Sequence, residues 1–232
     1  MLPWIIAHRG DATTATENTV AAFESAIRLG ADMIEMDVHR LKDGTLVVFH
    51  DDSIDSMALN DIGLSEFRLY ATKQRITVPT FDQVLKACVG RVKLMIEMKN
   101  DCVTQVLRSV EHAHLGVNDY LLECFEPDSL LLAKAQCPTV RTALLTEQLE
   151  LEETLPLLKR ISANYWAPNY SILSEAMFEH SHNEGTGIIP WTVNDKVEMK
   201  RFLSAPAVAG IITDRTEEAI QLRRHASASS RA

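Results

Sequence analysis

The sequence predicts an α/β protein, a TIM-type (β/α)8 barrel with a short insertion after the second strand. Three observations lead there. Strand-like and helix-like segments alternate almost throughout, the pattern of a parallel sheet covered by helices. Four apolar runs end abruptly in reactive residues: Ile5-Ile6-Ala7 in His8-Arg9-Gly10, Met33-Ile34 in Glu35-Met36-Asp37, Leu46 to Phe49 in His50-Asp51, and Leu94-Met95-Ile96 in Glu97-Met98-Lys99. Strands that each deliver polar residues at their C-terminal ends suit one mouth of a parallel barrel. Neither G-x-G-x-x-G nor G-x-x-x-x-G-K-[ST] is present, which leaves the doubly wound open sheet as the second choice.

Each element follows from its local pattern. After the first strand, Asn18 is expected to cap a helix from Thr19 to Leu29, with Val20, Phe23, Ala26 and Ile27 at helical spacing and Gly30 as its stop. The second strand is Met33 to Val38. Asp43-Gly44 marks a turn before the extended run Leu46 to Phe49. The polar stretch from Asp51 to Thr77 reads as an irregular excursion, with the insertion at about 53–77. Thr80 is the expected cap of a helix over Phe81 to Val89. The third to eighth strands are Lys93 to Met98, Tyr120 to Cys124, Val140 to Leu145, Tyr165 to Ala167, Ile188 to Val193 and Gly210 to Thr213. The intervening helices are Asp101 to His112, Pro127 to Gln136, Leu149 to Arg160 and Ser174 to Glu184, with a last helix over Glu217 to Arg224. Pro190 is awkward within the seventh strand because it removes a ladder donor. One domain over 1–225 and a disordered tail at 226–232 are expected.

Bulk properties exclude several functions. At 232 residues and 46% hydrophobic the chain can fill one barrel. A net charge of −9 argues against nucleic acid as a partner and means that an anionic substrate needs a metal or placed cations. No stretch approaches the roughly 20 apolar residues of a membrane span, so no membrane insertion is expected. No signal peptide is recognisable at the N-terminus, so the expected location is cytoplasmic. The four cysteines, Cys88, Cys102, Cys124 and Cys137, form no C-x-x-C pair, which disfavours zinc and favours reduced thiols.

The polar strand ends combine into a chemistry. Glu35 and Asp37 are two apart and share one face of their strand. Glu97 and Lys99 repeat that spacing on the next. Converging carboxylates repel one another, and a divalent cation resolves the repulsion. All-oxygen ligation suits magnesium, calcium or manganese; the competing reading is a set of solvated acids. His8 and His50 make an acid/base pair, and Arg9 and Lys99 are cations for an anionic group. Gly10 permits a sharp turn after Arg9. A metal, two histidines and two cations around one anion describe metal-assisted phosphoryl chemistry.

The ordered set His8-Arg9-Gly10, Glu17-Asn18-Thr19, Glu35-Met36-Asp37, Asp43-Gly44, His50-Asp51, Pro79-Thr80, Glu97-Met98-Lys99, Trp191-Thr192-Val193-Asn194 and Ile211-Ile212-Thr213-Asp214 resembles the glycerophosphodiester phosphodiesterase family, in family order and from end to end. The resemblance implies a TIM barrel and hydrolysis of glycerophosphodiesters to an alcohol and glycerol 3-phosphate. It implies a divalent cation on Glu35, Asp37 and Glu97, acid/base roles for His8 and His50, and phosphate contacts from Arg9 and Lys99. The chain departs from the family in having Asp52-Ser53-Ile54-Asp55-Ser56-Met57 in place of an arginine-threonine-threonine segment, and Cys124-Phe125 in place of Ser-Phe. Phe125 walls the site or packs in the core. Trp191 lines a glycerol pocket or packs at the barrel top. Glu17 sits at the site rim or is a helix N-terminal acid. Asn18 reads as a cap rather than a ligand, and Asp214 orients a site residue or caps the last helix. The rival functions are a lysophospholipase D-like phosphodiesterase, which would need an apolar rim for a lipid tail, and a non-catalytic phosphodiester-binding protein. Oligomeric state is not encoded in any of these features.

Overall fold

The computed structural model describes residues 2–229. Strand β1 (Trp4–Ala7) leads to α1 (Val20–Leu29). The cap of α1 is Thr19, whose hydroxyl accepts from the Ala22 amide, and Gly30 ends the helix at φ 90°. Asn18, expected as the cap, is engaged elsewhere. Strand β2 (Met33–Arg40) extends beyond its expected end because β3 (Leu46–Val48) pairs antiparallel with Val38–Arg40.

The insertion is ordered rather than irregular. It contains a two-stranded ribbon, β4 (Ser53–Ile54) and β5 (Met57–Ala58), a 3-10 turn at Leu59–Asp61 and helix α2 (Leu64–Lys73). A small apolar cluster explains the order: Ile54, Leu59, Ile62 and Phe67 bury against Leu41 and Val47, and Phe49 meets Phe67 edge to face at 5.8 Å. The apolar residues of this cluster are spread over several short elements, so no sustained period marks it in the sequence.

Strands and helices then alternate: α3 (Phe81–Cys88), β6 (Lys93–Met98), α4 (Val103–His112), β7 (Tyr120–Cys124), α5 (Pro127–Gln136), β8 (Thr142–Thr146), α6 (Leu151–Ile161), β9 (Tyr165–Pro168), α7 (Glu175–Glu184), β10 (Gly187–Ile188), α8 (Lys196–Ser204), β11 (Gly210–Thr213) and α9 (Thr216–Ser229). Thr80 caps α3 as expected, in a reciprocal pair with Gln83. Helix α8 was not anticipated, although its signals are present: Asp195 accepts from the Val197 and Glu198 amides, and Met199, Phe202 and Leu203 are buried. Helix α9 carries the backbone through the first part of the tail expected to be disordered, and residues 230–232 lie outside the described residues.

The sheet order is β10-β9-β8-β7-β6-β2-β1-β11, and the pairs on this path are parallel. The bridge Ile188 to Val208 brings β10 towards β11, and beyond it the Ile212 amide donates to the Pro190 carbonyl and the Val193 amide to the Ile212 carbonyl. The seventh strand shortens at Pro190. Ile189 and Trp191 still donate to Trp166 and Pro168 on β9, but proline has no amide hydrogen for the opposite neighbour. The result is a nearly closed parallel barrel of eight strands wrapped by helices.

Period-two alternation divides the apolar residues. Ile6, Met33, Met95, Leu121, Ala143, Ile189 and Ile212 fill the barrel interior. Ile5, Ala7, Ile34, Met36, Leu94, Ile96, Leu122 and Ile211 face the helices. Burying each large side chain contributes about 1.5–3 kcal/mol relative to exposure, so a one-residue slip in any strand would exchange the two sets at great cost. None of the four cysteines is in a disulfide, and Cys88, Cys102 and Cys124 are buried. No described helix is long and apolar enough to cross a membrane.

Candidate active site

The same alternation builds the site. Two positions beyond an interior residue, a strand reaches the barrel mouth with its side chain still pointing inward. Ile6 is followed in this way by His8, Met33 by Glu35, Met95 by Glu97, Leu121 by Glu123, Ile189 by Trp191 and Ile212 by Asp214. A cavity of ≈ 270 Å³ opens there, lined by His8, Arg9, Glu35, His50, Glu97, Lys99, Glu123, Phe125, Leu145, Glu147, Trp191, Thr192 and Ile212. A wider groove of ≈ 790 Å³ between α6 and α7 lies away from these side chains.

The turn after β1 is held by backbone geometry. Arg9 and Gly10 both have positive φ, 53° and 84°. A Cβ on Gly10 would lie 2.8 Å from the Ala22 carbonyl carbon and from the Phe23 ring, so only glycine fits. The turn lets the Arg9 amide donate to Glu35 Oε2 at 2.9 Å.

Acids and cations interlock below the cavity. Glu35, Asp37 and Glu97 offer carboxylate oxygens within 4.8 Å of one another. Lys99 Nζ lies 3.1 Å from Asp37 Oδ1 and 2.8 Å from Glu97 Oε1. Arg9 Nε lies 3.1 Å from Asp37 Oδ2, while its Nη1 donates to Glu17 Oε1 at 2.8 Å. Asn18, buried and at positive φ, donates to Asp37 Oδ2 at 2.7 Å. It therefore orients a site carboxylate instead of capping a helix. Glu17 lies outside the cavity lining and holds Arg9 from the rim.

The charges of these groups diverge. Burial raises Asp37, but Lys99 and Arg9 outweigh it and hold the carboxyl below its usual range. Burial, then Asp37, Glu123 and Glu97, push Glu35 well above that range. Burial and then Asp37 push Glu97 up to about 7. Glu123 rises through burial and then through Glu97 and Asp37. Burial opposes the charge on Lys99, yet Asp37 and Glu97 together raise it.

Each histidine has a carboxylate behind it. His8 Nδ1 meets Asp214 Oδ1 at 2.7 Å, and Asn194 donates to the other oxygen of Asp214 at 2.6 Å. Burial would raise Asp214, but hydrogen bonds from His8 and Asn194 hold it below the ordinary range. Asp214 thus orients a site residue. His50 Nδ1 meets Asp51 Oδ1 at 2.8 Å. His39, which burial first of all keeps towards its neutral form, contacts the His50 carbonyl at 3.3 Å and steadies that backbone.

Two aromatic residues form the opposite wall. Phe125 and Trp191 meet edge to face at 5.8 Å, and the Trp191 indole donates to the Ala167 carbonyl at 2.8 Å. Both line the cavity, so neither is a plain core aromatic. Sequence reasoning missed Glu123. The signal was there, since Leu121-Leu122 runs into Glu123 as the other runs do into their polar ends, but a lone acid lacks the E-x-D or E-x-K spacing of its neighbours.

The three clustered carboxylates fit a hard divalent ion. They are all oxygen donors within reach of one centre. Asp37 Oδ1, although near Lys99, makes no hydrogen bond.

Comparison with known proteins agrees with this geometry. Residues 8–218 match the model of the glycerophosphoryl diester phosphodiesterase family. A protein of Caldanaerobacter subterraneus subsp. tengcongensis named glycerophosphodiester phosphodiesterase is 31% identical, over 95% of this chain and 97% of its own. A lysophospholipase D of Homo sapiens is 24% identical, over 90% and 82%. A phosphodiesterase of Oleispira antarctica, solved with the product sn-glycerol-3-phosphate, shares the fold with a TM-score of 0.84 at 19% identity, over 95% of this chain and 96% of that one. The chain belongs to the glycerophosphoryl diester phosphodiesterase family and is an enzyme of that family.

Proposed function

We propose that the chain hydrolyses glycerophosphodiesters such as glycerophosphocholine and glycerophosphoethanolamine to an alcohol and glycerol 3-phosphate, with a divalent cation and with His8 and His50 as the acid/base pair. The observation that carries this reading is the pair of histidines at one cavity, each with a carboxylate at Nδ1. An ionised carboxylate only accepts, so Nδ1 carries the proton and Nε2 is left to exchange protons with the substrate.

One histidine takes the proton of the attacking hydroxyl as its oxygen bonds to phosphorus. The other, protonated, gives its proton to the alcohol oxygen as the second phosphorus–oxygen bond breaks. The attacking hydroxyl is water, or the glycerol 2-hydroxyl with water then opening the cyclic phosphate. Arg9 and Lys99 border the cavity and supply fixed positive charge for the phosphate oxygens. Glu35, Asp37 and Glu97 would hold magnesium, calcium or manganese, which when bound supplies Lewis-acid stabilisation of developing phosphate charge. Phe125 and Trp191 offer an apolar wall for glycerol carbons. Residues 1–225 act as one catalytic domain in this scheme, with His50 delivered just after β3 and the insertion packed against the adjacent Phe49.

A cavity of ≈ 270 Å³ favours a small water-soluble diester over one with a lipid tail. The test is release of glycerol 3-phosphate by metal-stripped protein from glycerophosphocholine or glycerophosphoethanolamine. Each ion is added separately, with Glu35→Ala as control. Release that needs an ion and is lost in the variant is expected. Release of the headgroup alcohol with a lysophosphatidic acid, from lysophospholipids only, would move the substrate to the lipid class. Silence with every ion and substrate would overturn the reading in favour of a phosphodiester-binding protein.

A further inference from the structure

Asp37, Glu97 and Glu123 are register partners on three adjacent strands: Asp37 lies beside Glu97, and Glu97 beside Glu123. Their side chains form one rank across the mouth. The first two have cationic partners, Lys99 for both and Arg9 for Asp37. Glu123 pairs with neither. It is 1% exposed, lines the cavity, and its Oε2 is buried without a hydrogen-bond partner. A carboxylate oxygen in that state is costly unless something in the working site answers it.

The balance of charge points the same way. Three buried carboxylates, Glu35, Asp37 and Glu123, and the partly buried Glu97 face the two cations Arg9 and Lys99. With all four ionised, as a bound cation would favour, two negative charges would be left over, the charge of one divalent ion. Glu123 stands outside the group of oxygens that lie within 4.8 Å of one another, one strand further along the rank. Its neighbour Glu97 is a member of that group.

We propose that Glu123 is an outer acid of the divalent-cation site, its Oε2 accepting a hydrogen bond from water on the ion while Glu35, Asp37 and Glu97 ligate directly. The proposal rests on reading those three carboxylates as a cation site. Acids one layer out from a metal orient its bound groups and raise its affinity, and their loss commonly weakens binding by about 10–100-fold.

The test is titration of metal-stripped protein with calcium and with magnesium by calorimetry, without substrate, so that it does not depend on whether hydrolysis occurs. Glu123→Gln should weaken ion binding by about 10-fold or more while leaving one ion per chain. Glu97→Gln, a direct ligand, should lose more. Melting curves supply a second readout: metal-free Glu123→Gln should melt at or above the wild-type temperature, because a buried unpaired acid has been removed, yet gain less from added ion. Glu123→Asp, which keeps the charge, should recover part of that gain. Unchanged ion affinity in Glu123→Gln overturns the proposal, whether or not the KM for a diester rises. Equal melting losses with and without ion would overturn it too, in favour of a structural role.

Discussion

His8 and Asp214 meet at 2.7 Å although 206 residues separate them. One follows β1 and the other follows β11, strands that pair residue for residue from Trp4–Gly210 to Ala7–Thr213. Closure of the barrel is thus what orients the first histidine. In Asp214→Asn the amide can offer a donor to the ring and stabilise the wrong tautomer. We expect kcat to fall by about 100-fold or more, with KM and melting temperature nearly unchanged. Steady-state kinetics beside a melting curve would check it, and near-normal kcat would show that the pairing is dispensable.

Lys99 stands between Asp37 and Glu97 and is mostly buried. Lys99→Met leaves two close acids without that charge. Removing one partner of a buried ion pair is strongly destabilising, and we expect a loss of up to about 3 kcal/mol in the metal-free protein. Saturating calcium should restore much of it, because the ion supplies the missing charge. Urea unfolding with and without calcium reads both effects, and equal losses in the two conditions would contradict the assignment.

The pH dependence of the metal-free protein has a defined sign. Glu97 is raised to about 7 in the folded state, by burial first and Asp37 second, against about 4.3 for an unperturbed glutamate. Between these values the folded protein holds the proton more tightly than the unfolded chain. The Glu97 contribution is therefore fully present below about pH 4.3 and is lost as pH rises through about 7. Glu97→Gln should flatten the fall in stability across this window. Melting temperatures from pH 4 to 8 for both proteins measure the difference, and parallel curves would refute it.

Phe67 anchors the insertion through Phe49, the residue before His50. Phe67→Ala should cost about 3–5 kcal/mol where the small cluster is folded. The barrel core is a separate cluster, so hydrogen exchange should speed up over 53–73 before it does in the strands. Activity should fall with it through His50. Protection unchanged in the insertion would mean that it is held by other contacts.

Much of this molecule is decided locally. The alternation in Met33-Ile34-Glu35-Met36-Asp37 and Leu94-Met95-Ile96-Glu97-Met98-Lys99 dictates which side chains point inward once each segment is extended. Glu35, Asp37 and Glu97 were legible from that period, His8 and His50 from the apolar runs they end, and the ordered motifs pointed to the family. Helix α8 was as legible as the others, with its Asp195 cap and helical spacing. The insertion was not, because its apolar residues lie on several short elements and gain stability by packing against Leu41, Val47 and Phe49 from outside it.

What the tertiary structure alone decided are the pairings between distant strand ends. Asn18 has the composition of a helix cap, and only the packing of the β1 turn against β2 turns it onto Asp37. Asp214 acquires its role from barrel closure. Glu123 becomes a member of the site because its register sets it beside Glu97. Local sequence determines a side chain's face through backbone geometry. It does not determine which residue stands across from it, since that depends on long-range closure that no single segment encodes.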